Sequence, residues 1–288
     1  MKKFKLFLEL IRINKPTGTL LLFWPCIWGL TLVNDFNINK LIYLKYAIFF
    51  FLGSMLMRSA GCIVNDILDK KYDIYVERTK NRPIASGKIS IELALLYTTI
   101  LCFLAFIILI QFNFTTIILG LASMPFAFTY PLMKRFTYWP QLFLGFTFNY
   151  GLIIAWFAIS PNFSYIPVVF YIGAIFWTLA YDTIYGFQDI KDDEIIGVKS
   201  TSIKFKENPK LFIFICYLIF IFMQIAGGIM MDFNYYFFVG IFVISGHLLI
   251  YQTIKLDVAK PDECLKKFKS NNFLGLLIFL NILINKVY

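Results

Sequence analysis

The chain has 288 residues, 59% of them hydrophobic and 15% charged, with a mean hydropathy of +0.72; a soluble domain carries roughly 25% charged residues. This excludes a soluble globule and, at this length, a single membrane anchor. The net charge of +10 fits basic loops gathered on one side of a membrane better than a nucleic-acid surface, and no nucleic-acid partner is expected.

A lipid-exposed chain must satisfy its own backbone polar groups, which leaves helices or a closed barrel. Apolar runs of about twenty residues, rather than alternating strands of about ten, decide for helices, so the fold class is an all-α polytopic membrane protein. The basic start Met1 to Lys5 precedes an apolar run. Leu20 to Leu32 holds Trp24, Pro25 and Trp28 and no small-residue cleavage site, so it reads as a mature helix rather than a signal peptide. In chain order, hydropathy predicts spans at 17–33, 44–64, 91–110, 114–132, 141–159, 165–186, 211–231, 234–254 and 273–287. The third and fourth form a tight hairpin, and the last is short and flanked by charge. Nothing divides the chain, so residues 1–288 read as one domain.

With the N-terminus inside, 23 of the 27 Lys and Arg residues fall on the cytoplasmic side. The opposite side holds Lys40, Lys45 and Lys286, and Arg58 lies within a span. The expected setting is a bacterial inner membrane, with the N-terminus and the 65–90 and 187–210 loops cytoplasmic. The five cysteines show no metal or CxxC spacing and read as small core residues. His247, the single histidine, reads as a packing residue within a span.

Two acidic clusters mark the ends of the second and sixth spans. If the second span continues as a helix, Asn65, Asp69 and Asp73 stand at i, i+4 and i+8 on one face, with Asp66 adjacent and Arg58 two turns deeper. At the end of the sixth span, Asp182, Asp189 and Asp193 stand at i, i+7 and i+11, sharing a face with Tyr185. Like charges stacked on a helix destabilise it, and a divalent cation compensates. Mg²⁺ is the natural occupant of such faces, sharing its remaining positions with water and phosphate oxygens. Two clusters on one side suggest more than one Mg²⁺ bridging a diphosphate, and no Walker A loop is present. Arg78, Lys80 and Arg82, and Lys134 with Arg135, fit both an anion-binding role and the positive-inside pattern. Arg58, a charge inside a span, is expected to be functional or paired, with Asp69 or an incoming anion as its partner.

At these residues the sequence resembles the UbiA superfamily of intramembrane prenyltransferases. Asn65, Asp66, Asp69 and Asp73 match its first aspartate motif, NDxxDxxxD, and the stretch from Asp182 to Asp193 is similar to its second. Further segments resemble the 4-hydroxybenzoate polyprenyltransferases of ubiquinone synthesis: Asn14 to Gly18 with Trp24 and Pro25, Arg78 to Pro83, Tyr130 to Gln141, and Ile196 to Thr201. Asn14 departs from the family, which commonly carries Asp there. The resemblance implies about nine helices around a central cavity, two Mg²⁺ ions, a polyprenyl diphosphate donor, and transfer of the prenyl chain to 4-hydroxybenzoate ortho to the phenol, with membrane lipid around the tail.

On that reading, Asn65, Asp69 and Asp73 face Asp189 and Asp193 across the metal. Asp66, Asp69, Asp182 and Asp189 are the catalytic candidates, and Arg58, Arg78, Lys80, Arg82, Lys134, Arg135 and Tyr185 are the substrate-binding candidates. Arg135 or Arg58 is expected to meet the benzoate carboxylate. Two rival readings are a prenyltransferase with another aromatic acceptor and an ion transporter. The transporter is disfavoured because its charges belong near the bilayer midplane, not at one surface.

Overall fold

The computed structural model describes residues 2–287, and every regular element among them is helical. The chain opens with a surface helix, α1 (Lys2–Leu10), followed by α2 (Thr17–Val33) and the long α3 (Lys40–Asp73). The side chains of Lys2 and Lys3 lie outside the described residues. A hairpin of α4 (Ile91–Leu109) and α5 (Phe114–Ala122) comes next, then α6 (Met124–Thr129), a 3₁₀ turn over Tyr130–Leu132, and α7 (Met133–Phe136). α8 (Pro140–Ile159) and α9 (Ile166–Gly186) lead to two short surface helices, α10 (Ile190–Ile196) and α11 (Thr201–Lys204). The chain finishes with α12 (Pro209–Met230), α13 (Tyr235–Gly246) running on as a π-helix through Ile254, and α14 (Pro261–Val287).

Among the described residues, eight helical stretches are long and apolar enough to cross a membrane, and α2, seventeen residues long, makes a shorter ninth. This agrees with the nine spans expected, with two differences. The last span is no short segment: α14 runs 27 residues. The fourth is broken: Pro125, with no N–H to donate, opens α6, and Pro131 sits in the 3₁₀ turn, so the backbone tightens and re-aims before α7. At 1.5 Å per residue, the 34 residues of α3 reach about 51 Å, well beyond a hydrocarbon core of about 30 Å. Its last turns therefore stand outside the bilayer, with the first acidic motif on them.

The core lies between α2, α8, α9, α12 and α14. Trp28 and Trp177 meet there at 5.2 Å between ring centroids. Trp28 Nε1 donates to the Gly275 carbonyl at 3.0 Å and so ties the first span to the last. Small residues bring the backbones together: a β-carbon at Gly29 would strike the Leu152 backbone. Large side chains such as Phe103, Phe222 and Phe242 remain exposed on α4, α12 and α13, as lipid-facing surface requires. His247 sits 3.3 Å from Ser270 and packs on Tyr251, in keeping with a packing role. Four cysteines are buried, Cys102 is half-buried, and all five are free.

Candidate active site

The first acidic motif rides on an unbroken helix, since α3 ends at Asp73. The stripe it buries is Asp66, Asp69 and Asp73, all under 8% exposed, spaced i, i+3 and i+7. Asn65 lies beside this stripe, half-buried. Burial of these carboxylates demands partners, and each has one. Arg12 donates to Asp66 at 2.5 Å. Arg82 bridges Asp66 at 3.1 Å and Asp73 at 2.7 Å. Lys134, delivered by the broken fourth span, donates to Asp69 at 2.5 Å. The other Asp69 oxygen, Oδ1, is buried without a hydrogen-bond partner.

The second motif is built differently. Asp182, Asp189 and Asp193 were expected on one continuous helical face, but α9 stops at Gly186 and the chain turns before α10 begins. The reason is tertiary. Ser202 Oγ donates to the Thr183 carbonyl at 2.8 Å, satisfying one of the orphan acceptors at the helix end, and a β-carbon on Gly186 would meet that same hydroxyl. Thr183 and Thr201 hydroxyls lie 2.6 Å apart, and Gln141 Oε1 accepts from the Thr201 amide at 3.0 Å. This buried lock holds the turn that carries Asp189. Gly197 closes α10 at φ +72°, a left-handed conformation suited to glycine, and the Lys199 amide then donates to the Lys134 carbonyl at 2.8 Å.

Arg78 joins the two motifs. It leaves the loop after α3 and grips Asp189 with two nitrogens, Nε at 2.8 Å and Nη2 on Oδ2. A third, Nη1, donates to the Tyr185 hydroxyl at 3.3 Å. Burial works against the Arg78 charge, but the bonds and charges of Asp189 and Tyr185 together outweigh it and the guanidinium pKa is raised. Asp193 is pushed up to about 6, first by burial and then by the neighbouring Asp189 carboxylate, while Lys134 and Arg78 pull the other way. Lys15 is lowered, by burial and by the positive field of Arg12, Arg78, Arg82 and Lys269. The site thus interleaves carboxylates with basic side chains, an arrangement suited to an anion that arrives with its own positive ions. Among the described residues no three carboxylates, thiols or imidazoles converge on one point, since each buried carboxylate leans toward its own basic partner.

Several residues singled out from sequence stand elsewhere. Lys80 pairs with Glu77 at 2.5 Å on the exposed surface, away from the carboxylates. Arg135 donates to the Leu68 carbonyl at 2.6 Å and lies over the Tyr72 ring, where it braces α3. Arg58 does not pair with Asp69, whose partner is Lys134. It lines an apolar cavity of about 240 Å³ together with Tyr130, and its guanidinium lies 5.8 Å from the Phe148 ring centroid. Asp182 is buried within reach of the Arg58 charge, whereas Asp189 is bonded to Arg78. Arg12, read from sequence only as a topological charge, pairs with the first acidic motif. It holds a left-handed φ of +55° while bonded to Asp66. Its only sequence signal was its position two residues before Asn14 and three before Lys15. Gly18 is confined by Arg58, because a β-carbon there would land on the guanidinium.

Residues 22–282 match the UbiA prenyltransferase family. The chain belongs to that family. A mitochondrial 4-hydroxybenzoate polyprenyltransferase of Drosophila melanogaster is 40% identical over 97% of this chain and 71% of its own length. The corresponding rat protein is 39% identical over 98% and 75%. 4-Hydroxybenzoate geranyltransferase 2 of Lithospermum erythrorhizon is 37% identical over 100% and 92%. Among solved structures, a UbiA homologue from Aeropyrum pernix superposes with a TM-score of 0.77 at 20% identity, covering 93% of this chain and 97% of that one. A UbiA homologue from Archaeoglobus fulgidus, bound to GPP and Mg²⁺, gives 0.70 at 17%, covering 98% and 100%. These structures share the UbiA fold with the present chain.

Proposed function

We propose that this UbiA-family enzyme transfers a prenyl group from a polyprenyl diphosphate to the ring of 4-hydroxybenzoate, ortho to the phenol, in ubiquinone biosynthesis. The observation that carries the reading is the pairing of two unlike halves: eight ionisable groups held in ion pairs, and an apolar cavity in which Arg58 is the cation and Tyr130 feels the charge of Arg12. A diphosphate suits the charged half and an isoprenoid tail suits the cavity. The near full-length similarity to 4-hydroxybenzoate prenyltransferases supports the choice of acceptor.

The donor set fits Mg²⁺. It is all oxygen, as a hard cation prefers, and Asp69 Oδ1 is buried and unpartnered. Asn65, Asp69 and Asp73 on one side, and Asp189 and Asp193 on the other, would hold it. When bound, Mg²⁺ supplies charge that stabilises the diphosphate as a leaving group. Arg12, Arg78, Arg82 and Lys134, now bonded to carboxylates, are placed to turn to diphosphate oxygens when those carboxylates take metal. Arg58 orients the acceptor by its carboxylate, and Tyr130 and Phe148 border the same space. The allylic C–O bond breaks with its electron pair going to the diphosphate. The ring carbon ortho to the phenol forms the new C–C bond, and the displaced ring proton passes to a base, for which Asp182 beside Arg58 is our assignment. The apolar lining excludes water that would otherwise trap the allylic cation, and the aromatic faces stabilise that charge.

The test is transfer of radiolabelled 4-hydroxybenzoate into the lipid phase by purified protein with polyprenyl diphosphate, with Mg²⁺ or with EDTA. Metal-dependent label in lipid supports the whole reading. Transfer only to another aromatic ring would move the acceptor, and no transfer from folded protein would remove the enzyme reading. Placement of the basic-rich face in the cytoplasm of a bacterial inner membrane is part of the same proposal. It rests on the positive-inside asymmetry, while two of the relatives above are mitochondrial.

A further inference from the structure

The apolar cavity has two unlike ends. At one, Arg58 and Tyr130 line it, with Tyr130 in the field of Arg12 and Asp182. At the other, Phe49, Phe50 and Phe112 form a floor, with Phe112 at centroid distances of 5.8 and 5.0 Å from the two α3 rings. Phe112 comes from the tight α4–α5 hairpin, which is pinned by the next residue: Asn113 donates to the Phe157 and Ala158 carbonyls at 2.8 and 3.1 Å. Tyr46 braces Phe112 from behind at 4.7 Å. The floor is therefore a held structure and not a loose loop tip. Gly53 between the two ends, and Gly61 about a turn beyond Arg58, both line the cavity, and a β-carbon added at either would meet nothing within 4 Å. Glycine weakens a helix interior, and no close helix contact requires it at these two positions. What the missing side chains provide is open length along α3.

We infer that the Phe49–Phe50–Phe112 floor, with Gly53 as the opening above it, sets how much of the donor's isoprenoid tail the enzyme holds. This rests on the prenyl-donor reading above. Arg58 and Phe50 are eight residues apart on α3, about 12 Å of helix. An isoprene unit adds four carbon–carbon bonds of about 1.5 Å, or about 5 Å of extended chain, so the space holds roughly two to three units. Longer tails turn at the floor and leave between α4 and α5, where Phe106 and Leu121 line the cavity and are also exposed, at 41% and 44%.

Gly53→Leu and Phe112→Ala push this gauge in opposite directions. Gly53→Leu fills the cavity and favours the helix, so it keeps the fold. Phe112→Ala extends the cavity past the floor. The measurement is affinity of purified protein for ten-, fifteen- and twenty-carbon prenyl diphosphates with Mg²⁺, followed by transfer rates with the same donors. The ratio of twenty-carbon to ten-carbon affinity should fall at least tenfold in Gly53→Leu and rise about threefold in Phe112→Ala. Ratios unchanged in both variants would overturn the gauge. The binding series reads the gauge without any acceptor. A failed transfer to 4-hydroxybenzoate with shifted binding ratios would therefore sink the acceptor assignment and leave the gauge supported.

Discussion

The two acidic motifs face one site but are made by different physics. The first is a helix that continues past the membrane, and its spacing alone puts three aspartates on one stripe. The second exists because α9 is stopped: Ser202, Thr201 and Gln141, remote in sequence, cap its end and turn the chain so that Asp189 meets Arg78. One motif is locally encoded and enclosed by three basic residues. The other is held in place by contacts and keeps Asp193 poised between charge states. The consequence is that damage to the first should act on chemistry at once, whereas the second should be sensitive to its remote supports and to pH.

The largest expected effect is at the shared centre. Asp69→Ala and Asp189→Ala should each lower transfer by about a hundred- to a thousandfold, the scale of losing a main electrostatic stabiliser, while circular dichroism stays unchanged. Retained turnover in either would defeat the two-sided site. Next comes the lock. Thr201→Val should raise the Mg²⁺ concentration giving half-maximal rate by about tenfold, within the 10- to 100-fold range for lost outer-shell support, with Thr201→Ser restoring it. A pure loss of melting temperature with unchanged metal dependence would make the lock merely structural.

The pH response should separate the motifs further. Asp193 is protonated below about 6 in the metal-free protein, against 3.8 ordinarily, so Mg²⁺ must compete with its proton. Metal affinity should fall as pH drops through 6 in the parent protein, and Asp193→Asn should remove that dependence while weakening affinity at pH 8. The same raised pKa gives the metal-free fold a stability contribution that is full below 3.8 and lost as pH rises through 6. A parent profile flat between pH 5 and 8 would contradict the shift. The smallest effect belongs to Lys80→Ala, which should change rate less than about twofold, since exposed ion pairs contribute little. A larger loss would place Lys80 in the site after all.

Hydropathy and helical spacing were enough for the all-helical class, about nine spans and the helical path of the first acidic stretch, because membrane spans and helix periodicity are local properties of the chain. The helix of α3 runs through Asp73 as its spacing demanded. What periodicity could not show was which side of that helix becomes buried: Asp66 joins Asp69 and Asp73 because Arg12 and Arg82 arrive there from other segments. Nor could it show the stop at Gly186, set by a hydroxyl sixteen residues later, or that Arg58 lines a cavity instead of meeting Asp69, or that Arg135 bonds the Leu68 carbonyl and Lys80 pairs with Glu77. Those outcomes depend on which distant groups meet, and a buried charge takes whichever partner the tertiary packing brings within hydrogen-bond reach.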